Sequence, residues 1–347
     1  MTIGRRALAR AFFGIAISLI ASWLVLRSVD LASAAEVLRT ANPAWIAVMF
    51  ITMCLDVAAR GARWRVLLSP IALIPYRRVL GYTFIGYLAN NVLPARLGEL
   101  VRSHSLGEKE GVARTTVLGT VVVERVVDTV IVVAIASVAV LVLSVRGVMT
   151  SAVLLGLAFA ALLVIGLGLG VVAHRLPGAE RVAAYVARWP RLLALGRMLR
   201  EGLAVVSRPR VLAGALAFSV VAWSASICTF LAAGQAVGLE LTVAQGALLT
   251  SGVALATIVP SGPGYLGTFE LTAVGICSLF GIDRDTAFAM ALLVHVMILT
   301  VTSVGGVVSY VALRRRVAPD SAPPVPVTPA APSVPLPATP PTAAPPR

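Results

Sequence analysis

Charged side chains lie inside long apolar runs of this sequence, where they could bind a polar ligand. Glu124 and Asp128 are four residues apart in an apolar run from Thr115 to Val145, and Arg125 lies between them. This spacing puts both carboxylates on one face of a helix. A charge at the centre of a bilayer costs about 2.5–3.5 kcal/mol on insertion scales. The three residues predict an internal site for a head group or counter-charge; otherwise, they reach water near a helix end.

A second group of charges follows the apolar run that begins at Pro43. Arg60, Arg63 and Arg65 flank Trp64. We expect these arginines to reach lipid phosphates at a membrane edge, with a ligand-binding role of Arg63 as the alternative. Asp56 lies one helical turn before Arg60, so the two side chains should pair.

Two short apolar runs end in similar polar breaks that contain proline and glycine. The first run is predicted to turn at Asn90–Leu97, and the second break is the run Pro260–Gly264. Lipid cannot satisfy the freed backbone groups, so the breaks should face a polar cavity in which helix N-termini attract an anion. Ordinary loops between separate helices are the alternative. His295 is expected to be a satisfied interior residue rather than a proton carrier. The full set of predicted ligand-binding residues is Arg63, Asn90, Asn91, Arg96, Glu99, Glu124, Arg125, Asp128, Ser261, Gly264, Tyr265 and Glu270.

The composition indicates that a bilayer surrounds most of the chain. Hydrophobic residues make up 59% of the 347 residues and charged residues 13%, against about 45–50% and about 25% in soluble domains. The net charge of +14 comes almost entirely from arginines between apolar runs, which is typical of cytoplasmic loops. With no zinc-finger or RNA-binding motif, we expect no nucleic-acid partner. The scattered cysteines and histidines and the lack of a Walker lysine predict no metal and no cofactor.

The positions of the basic clusters predict the topology. Clusters at the N-terminus, 60–78, 174–210 and 314–316 should all be cytoplasmic, so an even number of crossings separates them. The run Val79–Leu93 is shorter than the roughly 20 residues that a spanning helix needs. We therefore predict an all-α polytopic membrane protein with about six full spans and two re-entrant hairpins in an inverted repeat. Eight full spans are the alternative for the fold, and a cleaved signal peptide is the alternative for the first run.

The chain divides into a membrane part and a tail. Residues 1–313 are predicted to form one integral membrane domain, within which 174–210 is a basic amphipathic segment on the cytoplasmic surface. Residues 314–347 are rich in proline and should be a disordered cytoplasmic tail. We expect the protein in the cytoplasmic (inner) membrane with both termini in the cytoplasm.

Four ordered motifs carry a resemblance to a known family. They are Arg60–Trp64, Gly86–Glu99, Glu124–Asp128 and Pro260–Glu270. Over about residues 10–313 the chain resembles the flippase-like transmembrane domain of lysylphosphatidylglycerol synthetases. The resemblance implies translocation of an aminoacylated phospholipid. It departs from the synthetases after Leu313, where only the proline-rich tail follows and no aminoacyl-transfer domain is seen.

Together these patterns predict a lipid flippase or transporter for an anionic or modified phospholipid or a polyprenyl-linked lipid. Transport would be passive or ion-coupled, and a separate lipid-modifying enzyme is a possible partner. One alternative is a membrane-embedded head-group transferase with Glu99 and Asp128 as acid and base. The other is a non-catalytic subunit of a lipid-modifying assembly. The oligomeric state is left open.

Overall fold

The computed structural model describes residues 5–93, 97–145, 151, 154–162, 165, 208–257 and 261–315. These ranges are helical and contain no strand. A helical stretch also covers 154–162. The principal helices are α1 (Arg5–Arg27), α2 (Leu31–Arg39), α3 (Pro43–Leu68), α4 (Tyr76–Val92), α5 (Gly98–Glu110), α6 (Arg114–Val142), α7 (Pro209–Ala236), α8 (Val243–Ala256), α9 (Thr268–Ser278) and α10 (Arg284–Arg315).

The long helices identify a multi-pass membrane protein. Within the described ranges, α3, α6, α7 and α10 are long and apolar enough to cross a membrane, and α1 with α2 would add a fifth span bent by 83°. About half of a further apolar run, residues 150–173, lies outside these ranges. So do most of the segment 174–210 and of the tail 314–347. The all-α polytopic fold is confirmed, whereas six full spans and the domain boundaries stay predictions.

Helices α4 and α5 form the first hairpin. They have 17 and 13 residues, fewer than a spanning helix needs. At the open end of the hairpin, Arg78 pairs with Glu110 at 2.8 Å. At its tip, the Gly98 N–H donates to Asn90 Oδ1 at 2.7 Å. The two helices are therefore antiparallel, with the turn between Leu93 and Leu97, as the sequence predicts.

Helices α8 and α9 form the second hairpin, with 14 and 11 residues. A 3₁₀ turn, Pro263–Tyr265, lies at its tip. Helix α1 packs against this hairpin, and the Gly262 N–H donates to Ser18 Oγ at 2.8 Å. The first apolar run is thus part of the packed structure.

The two hairpins enter the molecule from opposite ends. At one end the Asn42 N–H donates to the Ala236 carbonyl at 2.8 Å, and the Asp30 N–H donates to Asp285 at 2.8 Å. The second hairpin opens at this end, because it begins just after α7 and leads directly into α10. The first hairpin opens at the other end, where Gly81 lies against Leu313. The short helix lengths and this geometry favour the two-hairpin interpretation over eight spans.

Helices α3–α6 of the first half correspond in order to helices α7–α10 of the second half, and their contacts are related by a pseudo-two-fold axis. The equivalent helices α3 and α7 pack on each other. Helix α4 packs on α10 and its equivalent α8 packs on α6, while α5 packs on α6 and its equivalent α9 packs on α10. Each hairpin is followed by a glycine with positive φ, Gly111 at 67° and Gly281 at 70°, a conformation that favours glycine. The predicted repeat of the second half in inverted orientation therefore appears in the helix packing.

Candidate functional site

The tips of the two hairpins and the long helices between them enclose a cavity of about 250 Å³. Helices α3 and α6 contribute Asp56, Arg60 and Arg125 to its wall, and the hairpin tips contribute polar groups from both halves. Further polar and aromatic lining residues are Tyr87, Asn90, Asn91, Glu99, Arg102, Trp223, Gly264, Tyr265, His295 and Thr302. Much of the remaining wall is apolar, so the charged and hydrogen-bonding groups form a polar side of the cavity. Such groups can compensate backbone N–H and C=O groups where helices break inside a bilayer.

A buried ionic network lies behind one wall of this cavity. Arg63 on α3 has 0% of its side chain exposed and binds Asp128 through both terminal nitrogens, one of them at 3.0 Å. It also lies 3.1 Å from Glu124. Glu124 and Asp128 are four residues apart on α6, so the helix presents both carboxylates to the same arginine. The sequence-based expectation that Arg63 reaches lipid phosphates is wrong, because its charge is compensated inside the bundle.

Three arginines from three helices meet at Glu124. Besides Arg63, Arg102 from α5 lies 3.1 Å from Glu124 Oε1 and Arg125 lies 2.7 Å from the same oxygen. Arg125 also lies 3.2 Å from Asp128. The alternative that Glu124 and Asp128 reach water near a helix end is wrong, because both side chains are buried.

Arg60 extends the network to the cavity surface. Its Nε donates to Asp56 at 2.8 Å, which confirms the predicted pair. Its guanidinium lies 4.7 Å from the ring centroid of Trp223, and the Trp223 indole N–H donates to Asp128 at 3.2 Å. Arg102 lies in the same way 4.5 Å from the ring of Trp64. The aromatic faces hold both guanidinium groups by cation–π attraction.

The ion-paired groups of the network include one more positive than negative charge. Four arginines (Arg60, Arg63, Arg102, Arg125) face three carboxylates (Asp56, Glu124, Asp128), and Glu99, a fourth carboxylate on the cavity wall, interacts electrostatically with Arg125. The side chain of Arg125 is 42% exposed. Among the described residues its Nε has no hydrogen-bond partner. Arg125 is therefore the group in this network best placed to bind an anion.

The first hairpin tip supplies amides and a carboxylate. Asn91 Nδ2 donates to Thr302 at 2.8 Å and to Ser303 at 3.0 Å, both on α10. Glu99 lines the cavity and interacts electrostatically with Arg125. The cavity thus combines positive groups with a carboxylate.

The second hairpin tip is held by a buried pair. His295 Nδ1 lies 2.5 Å from Glu270 Oε1, and His295 Nε2 lies 2.7 Å from the Gly264 carbonyl oxygen. The Phe269 ring stacks on the imidazole at 4.5 Å between centroids. Glu270 also accepts the Gly267 N–H at 2.8 Å, which caps the start of α9.

The structure brings six of the predicted residues to the cavity: Asn90, Asn91, Glu99, Arg125, Gly264 and Tyr265. Arg63, Glu124, Asp128 and Glu270 lie behind its wall and position residues that line it. Ser261 is buried against Gly14 of α1. Arg96 lies outside the described residues. Direct binding of a ligand by any of these twelve residues stays a prediction.

Sequence reasoning missed Arg102, Tyr87 and Trp223 as part of the site. Arg102 lies one helical turn after Glu99, and this spacing could have indicated it. Nothing in the local sequence distinguishes Trp223 from a lipid-facing tryptophan. Within the described ranges, no group of three or more His, Cys, Asp or Glu side chains could hold a metal ion.

The fold and the cavity define a class of protein: a polytopic helical membrane protein in which the tips of two helical hairpins meet beside a charged internal site. The chain belongs to the family described as the lysylphosphatidylglycerol synthase TM region, which it matches over residues 11–306. It is also similar to a protein of Haloferax volcanii named glycosyltransferase AglD, with 26% identity over 343 residues. The alignment covers 87% of this chain and 54% of that relative, so the chain spans about half of the relative's length.

Proposed function

We propose that this protein moves a lipid across the cytoplasmic membrane and binds its head group in the cavity between the two hairpins. The membership of the lysylphosphatidylglycerol synthase TM family supports a function with membrane lipids. The observation that carries the proposal is Arg125, a partly exposed cation in the wall of a cavity between the helices. The substrate class is an anionic or modified phospholipid or a polyprenyl-linked lipid.

The charges of the cavity match a head group of that class. Arg125 and Arg60 would bind a phosphate, since guanidinium groups pair with phosphate oxygens in a two-pronged geometry. Glu99 would accept a hydrogen bond from an ammonium or hydroxyl group of the same head group. Arg63, Glu124 and Asp128 would fix the orientation of Arg125 and would not touch the lipid in this arrangement.

The hairpins supply the means of access from both sides. They open at opposite ends of the molecule and their tips meet beside the cavity, with the Asn91 carbonyl against Gly264. In transporters, movement of such halves around a central site gives alternating access. We propose that the protein lies in the inner membrane with both chain termini in the cytoplasm, since the basic clusters favour that side.

The test is lipid movement in liposomes that contain the purified protein. Labelled anionic phospholipid should move between leaflets in the presence of the wild type. Arg125→Gln should slow this movement at least about tenfold, since it removes a charge-assisted contact of about 1.5–3 kcal/mol. Arg114→Gln is the matched control, because Arg114 lies on the same helix, is exposed and lies outside the cavity. Equal rates in wild type and Arg125→Gln would contradict the proposal.

A head-group transferase is the second candidate, and the printed name of the Haloferax relative favours it. Glu99 is then the group that faces the substrate. Asp128, which is bound on both oxygens by Arg63, is poorly placed to act as a base. Head-group turnover without movement in the same liposomes would support this candidate. An accessory role would be supported if the purified protein neither moves lipid nor turns over head groups, and if deletion of its gene abolishes the activity of a partner enzyme.

A further inference from the structure

The proposed function gives the pair formed by Glu270 and His295 no part in phosphate binding, although the pair lies at the wall of the cavity. His295 lines the cavity from α10, while Glu270 lies behind it at the start of α9. Both side chains are buried. Two titratable groups that touch each other beside a polar cavity form a candidate proton site.

The hydrogen bonds fix how many protons the pair holds. A carbonyl oxygen only accepts, so the contact with Gly264 requires a proton on His295 Nε2. The short contact between His295 Nδ1 and Glu270 Oε1 requires a second proton between these atoms. The pair therefore holds two protons and has no net charge, whichever atom carries the shared one.

Loss of one proton breaks one of the two contacts. With a single proton left, the imidazole can donate to the Gly264 carbonyl or to Glu270, but not to both. The other contact then sets two lone pairs against each other. Glu270 becomes a buried carboxylate that backbone N–H groups and at most one neutral imidazole N–H compensate. The structure can relieve this cost by moving the hairpin tip away from α10 and admitting water.

The tip itself is in a conformation that depends on its contacts. Gly264 has φ of 65° and Tyr265 has φ of 59°, and the left-handed region is costly for a residue with a side chain. The contact from His295 to the Gly264 carbonyl ties this turn to α10. A change at the pair would therefore act directly on the turn.

We propose that Glu270 and His295 form a proton-binding site whose occupancy holds the tip of the second hairpin against α10. On release, the shared proton passes to a water molecule in the cavity and leaves a neutral imidazole and a carboxylate. The link to transport rests on the proposed function: if the tip moves during transport, a proton gradient would drive the movement of the lipid across the membrane.

The surroundings of the pair are otherwise nearly uncharged. Helices α7, α8 and α9 present uncharged residues to the cavity beside the pair, and α1 faces the tip with Ser18 and Ser22. Helix α2, which also packs on α10, carries an exposed pair, Glu36 with Arg39. The charged or titratable groups that face the same cavity from other described elements are Asp56, Arg60, Tyr87, Glu99, Arg102, Arg125 and Tyr265.

Amide hydrogen exchange of the full chain in detergent tests the proposal without a lipid substrate. The exchange of residues 261–267, corrected for the intrinsic effect of pH, should rise in a single step as the pH is raised and the pair loses its shared proton. In Glu270→Gln the side-chain amide of the new glutamine can donate a hydrogen bond to His295 at every pH. The step should therefore be lost, and the exchange of residues 261–267 should stay low. In His295→Gln the step should also be lost.

The control is an exposed pair of the same composition. His104 lies 3.1 Å from Glu108 with 54% of its side chain exposed, and His104→Gln should keep the wild-type step. No step in the wild type, or an unchanged step in Glu270→Gln, would overturn the proposal. If Glu270→Gln elutes as an aggregate, an unchanged step in His295→Gln overturns it instead.

Lipid movement under an imposed pH gradient separates this proposal from the proposed function. Movement by the wild type with no pH step in hydrogen exchange would overturn the proton site alone. A pH step that depends on Glu270, in a protein that moves no lipid, would support the proton site and contradict transport.

Discussion

Arg63 compensates two buried carboxylates at once, and this makes it the residue on which the buried network most depends. Its partners Asp128 and Glu124 lie on one face of α6. Removal of one member of a buried ion pair leaves an uncompensated charge, which is far more costly than loss of an exposed pair. The carboxylates of Asp128 and Glu124 are compensated in the native protein, but they would destabilise a variant that lacks Arg63.

Arg63→Gln should lower the free energy of unfolding by about 3–5 kcal/mol. Thermal unfolding in detergent, followed by loss of the monodisperse form, measures the effect. Arg39→Gln is the control, since the Arg39 side chain is 79% exposed and its pair should contribute no more than about 1 kcal/mol. Similar melting temperatures for the two variants would contradict the assignment of a buried, paired Arg63.

The first hairpin depends on a close approach of its two helices. A Cβ on Gly98 would meet the Gly86 carbonyl oxygen and the side chain of Asn90. Only glycine at this position lets the start of α5 lie against α4 with the Gly98 N–H bonded to Asn90. The tip of the hairpin, and with it one side of the cavity, is fixed by this contact.

Gly98→Ala should force the hairpin tip apart, at a cost of about 1–3 kcal/mol typical of overpacking. It should also slow lipid movement, because Asn90 and Glu99 would shift with the tip. Gly275→Ala is the control: Gly275 lies inside α9 with open space around its Cβ position, and alanine favours a helix. Gly98→Ala with the stability and transport of wild type would show that the close approach is unimportant.

Asp283 caps the helix that carries His295. It accepts hydrogen bonds from the Thr286 and Asp285 N–H groups and from the Thr286 hydroxyl. The bonds from Thr286 lower the pKa of this exposed carboxyl. A lowered pKa in the folded state means that the stabilisation is present above the unfolded pKa of about 3.9 and is lost as the pH falls below it.

Asp283→Ala should lower the stability by about 0.5–2 kcal/mol at neutral pH, as for other lost caps. The difference from wild type should shrink as the pH falls below about 4 and through the lower pKa of the folded state, because the wild-type carboxyl becomes protonated there. Melting temperatures at both pH values measure this. A difference that does not depend on pH would mean that the charge of Asp283 has no part in the cap.

At the scale of the whole molecule, the opposite entry of the hairpins makes a prediction about sidedness. The loop before α4 lies at the end where the first hairpin opens, and the loop before α8 lies at the other end. Leu73 and Glu240 are exposed residues in these two loops. If the bundle crosses a membrane as its apolar surface indicates, the two loops must face opposite compartments.

Single cysteines at Leu73 and Glu240, in a chain whose native cysteines are replaced by serine, should react with an impermeant reagent from opposite sides. We expect Leu73→Cys to react from the cytoplasm and Glu240→Cys from outside. Arg39→Cys should react together with Glu240→Cys, since α2 packs against α10 at the end where Asp30 binds Asp285. Labelling of Leu73→Cys and Glu240→Cys from one side would contradict the inverted arrangement.

The sequence by itself determined that this is a helical membrane protein, and it predicted two hairpins with eight full spans as the alternative. Apolar length, arginine clusters and the repeated Pro–Gly breaks are local features, and the bilayer imposes length and polarity rules on each segment separately. The pairing of Asp56 with Arg60 could also be predicted, because four residues on a helix set that contact.

Only the tertiary structure decided which charges face the cavity and which are compensated behind its wall. Arg63, Arg102 and Trp223 come from α3, α5 and α7, and no sequence spacing relates them to Glu124 or Asp128. The contact between Glu270 and His295 joins α9 to α10 in the same way. Contacts between helices depend on their rotation and separation, which packing of the whole bundle fixes, so a pattern along one helix cannot reveal them.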